Sequence, residues 1–152
     1  MWKRTSLVMA SFGLALLATA LPSHLEADQG RNNRPFAGVA AGAITGFAPD
    51  GAIVAEATGH ATHLGDFTRT EYVYVGPDGI SISGTVIFIA DNLDELWVDF
   101  DGSFTSGTTA EGTYTFTGGT GRFTDATGTA TFTATLPDGI HIAVSFHGSI
   151  GY

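Results

Sequence analysis

The sequence predicts an all-β protein, with eight antiparallel strands closed into an up-and-down barrel behind an N-terminal signal peptide. Three observations carry this reading. From Phe36 to Tyr152, short runs rich in Val, Ile, Thr, Phe and Tyr alternate with Gly, Pro and Asp clusters, and no segment has an amphipathic helical period. Pro-Asp-Gly occurs three times, at Pro49-Asp50-Gly51, Pro77-Asp78-Gly79 and Pro137-Asp138-Gly139. Proline presets φ for the first corner of a type I turn, aspartate bonds back to the backbone, and glycine takes the left-handed position beyond. Each repeat therefore reads as a short bulged hairpin. The third observation is the stretch Gly118 to Gly128, which lies between two Thr- and aromatic-rich runs and turns one back against the other. A phosphate-cradle reading of these glycines fails. The Gly-Lys-Ser/Thr ending is missing, and Arg122-Phe123 leads into strand-like alternation where a cradle needs a helix.

Taken in order, the chain begins with Lys3 and Arg4, an apolar run from Leu7 to Leu21, then small residues and polar sequence. Those are the three regions of a secretory signal peptide, so the protein is expected to be exported, periplasmic or extracellular. Two cleavage points fit: after Ala20, where Ala18-Thr19-Ala20 satisfies the small-x-small rule, and after Ala27, with Pro22 upstream to end the apolar helix. Taking the second, residues 1–27 are the signal peptide, 28–35 a flexible polar leader, and 36–152 one barrel domain. About 125 residues remain, enough to bury a core. Removing Lys3, Arg4 and Glu26 leaves four basic and fourteen acidic residues, a net charge near −10. Such a surface repels nucleic acid and anionic lipid heads, so neither is expected as a partner. With no cysteine, an exported chain relies on its core rather than on disulfides.

The strands are predicted at 36–47, 52–63, 67–75, 80–90, 95–104, 110–117, 127–136 and 140–151. Short hairpins throughout favour a closed barrel, which leaves no exposed edge, over a two-sheet sandwich with its longer crossings. Alternation gives the later strands one apolar face. Leu96, Val98, Phe100 and Phe104 share it, as do Tyr114 with Phe116, Ala130 with Phe132, and Ile140, Ile142, Val144 with Phe146. The first two strands carry Ala, Gly and Val on both faces, so they either complement the large rings opposite or leave a cavity. Val86 to Ala90 is apolar on both faces, which suggests a subunit contact.

Candidate chemistry concentrates on the third strand, where Arg69, Glu71, Tyr72 and Tyr74 are the catalytic candidates. If Tyr72 and Tyr74 face inward, their hydroxyls orient a polar group of an apolar ligand. If Arg69 and Glu71 face inward, they form a buried ion pair of the kind that tunes acid–base groups. The expected arrangement is an exterior Arg–Glu pair with the tyrosines in the core. Candidate ligand-binding residues are Tyr72, Tyr74, Phe88, Phe100, Tyr114, Phe116, Phe132 and Phe146. No metal site is expected. His60 and His63 point to opposite sides of a strand, and His141 and His147 stand about 20 Å apart along one. Asp91, Asp94, Glu95, Asp99 and Asp101 read as a solvated outer face rather than a calcium loop. No serine has the sequence context of a nucleophile.

Gly118-Gly119-Thr120-Gly121-Arg122-Phe123, followed by Ala126-Thr127-Gly128, resembles the Gly-Gly-x-Gly-x-Phe…Ala-x-Gly turn of allene oxide cyclases and plant dirigent proteins. Thr62-His63-Leu64-Gly65-Asp66-Phe67-Thr68 looks like a recurring hairpin of small secreted bacterial relatives of that barrel group. The resemblance implies a calycin-like eight-stranded barrel, often trimeric, holding an apolar small molecule and using no cofactor. It carries none of that family's catalytic residues onto positions here. The leading expectation is thus an exported barrel that binds a small hydrophobic molecule inside. A cofactor-independent cyclase or isomerase using the same cavity comes second. A third reading inverts the faces to make a small outer-membrane barrel, with phenylalanines toward lipid and threonines and acids in a polar lumen.

Overall fold

The computed structural model describes residues 34–152, so the predicted signal peptide, its expected cleavage points and most of the predicted leader lie outside the described residues. Eight strands follow one another: β1 (Arg34–Phe47), β2 (Ile53–Ala61), β3 (Gly65–Val75), β4 (Ser81–Ile89), β5 (Glu95–Ser106), β6 (Thr109–Gly119), β7 (Thr127–Thr135) and β8 (His141–Gly151). Each is antiparallel to the next, and β8 pairs with β1 from Arg34↔Ile150 to Ala43↔His141, closing the barrel in chain order. Closure settles barrel against sandwich. The predicted leader runs two residues too far, because Arg34 and Pro35 already pair with Ile150 and Ser149, and the Arg34 guanidinium covers the Tyr152 ring.

The three Pro-Asp-Gly turns form as their residue types dictate. Gly51, Gly79 and Gly139 donate their amides to Ala48, Gly76 and Leu136 at 2.9, 2.9 and 3.2 Å. Their φ angles are +92°, +68° and +76°, the left-handed region that glycine enters without steric cost. In each turn the aspartate Oδ1 accepts from the amide two residues on, that of Ala52, Ile80 or Ile140. Strand parity then places all three turns at one end of the barrel. At the opposite end, the stretch between β6 and β7 contains one turn of 3₁₀ helix, Gly121–Phe123, where the sequence suggested a plain turn. It tucks Phe123 into the core, and the Arg122 amide donates to Asp94 Oδ2 at 3.2 Å.

The second of the three turns gives a pH prediction. The hydroxyl of Ser81 and the amides of Ile80 and Ser81 all donate to Asp78, pulling its carboxyl from an ordinary 3.8 down to about 2. A depressed folded-state pKa adds stability above the unfolded value and loses it as pH falls through the folded one. Wild type is therefore expected to be more stable to urea than Asp78→Ala above about pH 4, with the gap closing toward about pH 2. A gap that does not change over that range would show that the Asp78 carboxylate is not the group responsible.

The core divides along the barrel axis. At the 3₁₀ end, phenylalanines interlock: Phe36 stacks on Phe146 at 5.3 Å and meets Phe116 edge-on at 5.0 Å, and Phe67 meets Phe88 at 5.1 Å. The glycines of β1 and β2 make room for them. A Cβ on Gly38 would stand 2.7 Å from Phe146 Cζ, and one on Gly59 2.7 Å from Phe67 Cζ. At this end the small residues complement the rings, and at the Pro-Asp-Gly end they leave space. The outer face carries Asp99, Asp101, Glu111 and threonines such as Thr113 and Thr131. That is the reverse of what the membrane-barrel reading requires, since strand phenylalanines such as Phe67, Phe88, Phe100, Phe116, Phe132 and Phe146 are buried inside. Ile140, expected on the inner face, is 56% exposed because it belongs to the turn that precedes β8.

Candidate functional site

β3 decides the site. Phe67, Arg69 and Glu71 are buried at alternate positions, which puts Tyr72 and Tyr74 on the outer face. This overturns the expected exterior Arg–Glu pair and inward tyrosines. The reason is register. Arg69 lies opposite Ala57 on β2 and Phe88 on β4, and Glu71 lies opposite Ala55 and Val86, all of them core residues. The alanines leave room for a long guanidinium side chain where a second large apolar residue would otherwise stand. Tyr74 is exposed, and its hydroxyl donates to Asp50 Oδ2 at 2.5 Å, tying β3 to the first Pro-Asp-Gly turn. Neither Tyr72 nor Tyr74 lines the barrel interior.

The interior contains a cavity toward the Pro-Asp-Gly end. Ile44, Ile53, Val75, Phe104 and Leu136, near the turns, line its mouth. Phe100, Phe132, Arg69, Glu71 and Tyr114 line it deeper in. It offers about 80 Å³ of room for the centre of a water-sized sphere. One water needs roughly 10–15 Å³ on that measure, so the space suits a small ligand. Phe47, 76% exposed, and Ile80 and Ile140 extend the apolar surface around the mouth. Among the predicted ligand-binding residues, Phe100, Tyr114 and Phe132 line the cavity. Phe88, Phe116 and Phe146 are packed beyond its floor, in the closed half.

The polar group at the deep end joins distant parts of the chain. Arg69 is only 2% exposed and Glu71 9%. One terminal nitrogen of Arg69 donates to the Tyr114 hydroxyl at 2.9 Å, and the other donates to Glu71 Oε2. The Arg69 Nε–H is buried with no acceptor among the described residues. Burial works against the guanidinium charge, but the Tyr114 and Glu71 oxygens outweigh it, so the Arg69 pKa lies above its ordinary value. Burial likewise raises the Tyr114 phenol, against the pull of Arg69. Tyr114 therefore keeps its proton, and the site holds a cation, a carboxylate and a neutral hydroxyl in an apolar surround. Compared with protein-family models, curated proteins and solved structures, the chain matches none.

Tyr114 is the member of this group that sequence reasoning undervalued, grouping it with Phe116 as an apolar lining residue. The signal lay in strand parity: once Phe67 is placed inward, Arg69 must follow, and a buried arginine needs oxygen partners. The histidines stand apart from the cavity. His60 bonds Asp66 at 2.9 Å on the outer surface, and His63 sits between Pro35 O and the Tyr152 hydroxyl at the 3₁₀ end. Among the described residues, no group of three or more His, Cys, Asp and Glu side chains could hold a metal ion.

Proposed function

We propose that the barrel binds a small apolar molecule in its interior. The observation that carries the reading is a cavity lined by aliphatic and aromatic side chains, opening toward one end, with a few convergent polar groups at its depth. The proposal includes export, supported by the Lys3-to-Leu21 pattern, and self-association, supported by the resemblance to allene oxide cyclase-like and dirigent-like barrels. A second reading, isomerisation or cyclisation in the same cavity, draws support from the inward Arg69 and Glu71. In it, Glu71 would accept a proton from the substrate while Arg69 and Tyr114 stabilise negative charge developing on oxygen.

Native mass spectrometry of the chain from Asp28, purified without detergent, tests the reading. Binding predicts an extra mass that organic solvent removes, or uptake of small apolar compounds added to the stripped protein. A folded protein that carries no extra mass and takes up none of them would refute it.

A further inference from the structure

We infer that the deep end of the cavity selects an uncharged oxygen acceptor, a carbonyl or hydroxyl group, which enters first while the apolar remainder of the molecule lies toward the mouth. The inference rests on the binding reading above and adds the class and orientation of the ligand.

The argument starts from donors left over. The Arg69 Nε–H is buried and has no acceptor among the described residues. Buried polar groups are almost always paired, and an orphan arginine N–H beside a cavity is an unmet demand for oxygen. Tyr114 accepts from Arg69, and its own hydroxyl proton has no acceptor among the described residues. The Arg69 Nε–H and the Tyr114 O–H, next to one cavity, therefore both await an oxygen.

Charge decides which oxygen. Glu71 already neutralises Arg69, so the deep end carries no net positive charge to hold a carboxylate or phosphate. An anionic head would stand against the Glu71 carboxylate in a poorly solvated space. A neutral carbonyl or hydroxyl takes the free donors without that repulsion. Orientation follows from where the polar groups are. They sit away from the turns, whereas the mouth presents Ile44, Ile53, Val75 and Leu136. A molecule with one polar end satisfies both regions only with that end inward.

The test compares three six-carbon ligands at neutral pH, 2-hexanone, hexane and hexanoate. Affinities come from calorimetry, and the Arg69 Nε–H resonance is followed by ¹H–¹⁵N NMR and assigned with Arg69→Lys. Hexanone is expected to bind about ten-fold or more tighter than hexane, the value of one hydrogen bond from a charged donor, and to shift the Nε–H signal downfield. Hexanoate is expected to be the weaker of the two oxygen-bearing ligands. Equal affinity for hexanone and hexane with an unmoved Nε–H signal would overturn the inference and leave the binding reading standing. Tightest binding of hexanoate would overturn the charge argument. Failure of all three ligands to bind a folded protein would overturn both readings.

Discussion

Arg69→Met is expected to cost the barrel about 3–5 kcal/mol, the usual loss when one partner of a buried ion pair is removed. Methionine replaces the arginine stem well enough, so the cost arises from what is left behind. Glu71, 9% exposed, loses the guanidinium that donates to its Oε2, and the Tyr114 hydroxyl loses its donor. The double variant Arg69→Met/Glu71→Leu removes the orphaned charge and should recover most of that loss, since apolar replacement of a buried pair is often neutral or stabilising. Urea unfolding of wild type, single and double variants at pH 7 measures this directly. A double variant as unstable as the single one would assign the loss to packing of the arginine stem rather than to an unpaired carboxylate. The comparison also bears on function: a pair that can be replaced without loss of stability is not there to hold the fold together.

Phe146→Ala is expected to cost a similar 3–5 kcal/mol, as for large aromatic truncations in well-packed cores. Phe146 touches the rings of Phe36, Phe67, Phe88 and Tyr114 at centroid distances of 5.3, 6.3, 5.7 and 5.9 Å. Collapse into the vacated space is hindered because its cross-strand partner is Gly38, whose Cβ position lies 2.5 Å from Ala61 Cβ and 2.8 Å from His60 O. The truncation removes a ring from beneath the cavity floor, so the variant should also take up benzene, as dry apolar cavities do. Thermal unfolding with and without benzene reads both effects, because a ligand bound only to the folded state raises its stability. A loss under about 1 kcal/mol would mean that the neighbouring rings close over the gap.

Both variants act on features of different legibility. Phe146 could be assigned to the core from alternation alone, since Ile142, Val144 and Phe146 share one face and His141, Ser145 and His147 the other. Arg69 could not. β3 carries large side chains on both faces, with Phe67, Arg69 and Glu71 against Tyr72 and Tyr74, so a period of two identifies the sets without saying which one is inside. Average burial tendencies favour tyrosines inside and ions outside, and here register overrides them.

The sequence by itself determined the number of strands, their approximate limits and the chemistry of the turns, because each of these depends on a few adjacent residues. Proline, aspartate and glycine set local φ values and local hydrogen bonds wherever they stand together, and the three Pro-Asp-Gly turns formed as those residues require. Tertiary structure alone decided that Arg69 meets Tyr114, 45 residues away, and that the small residues of β1 and β2 fill one end of the barrel and leave a cavity at the other. Those outcomes depend on side-chain volumes summed across strands that become neighbours only when the barrel closes.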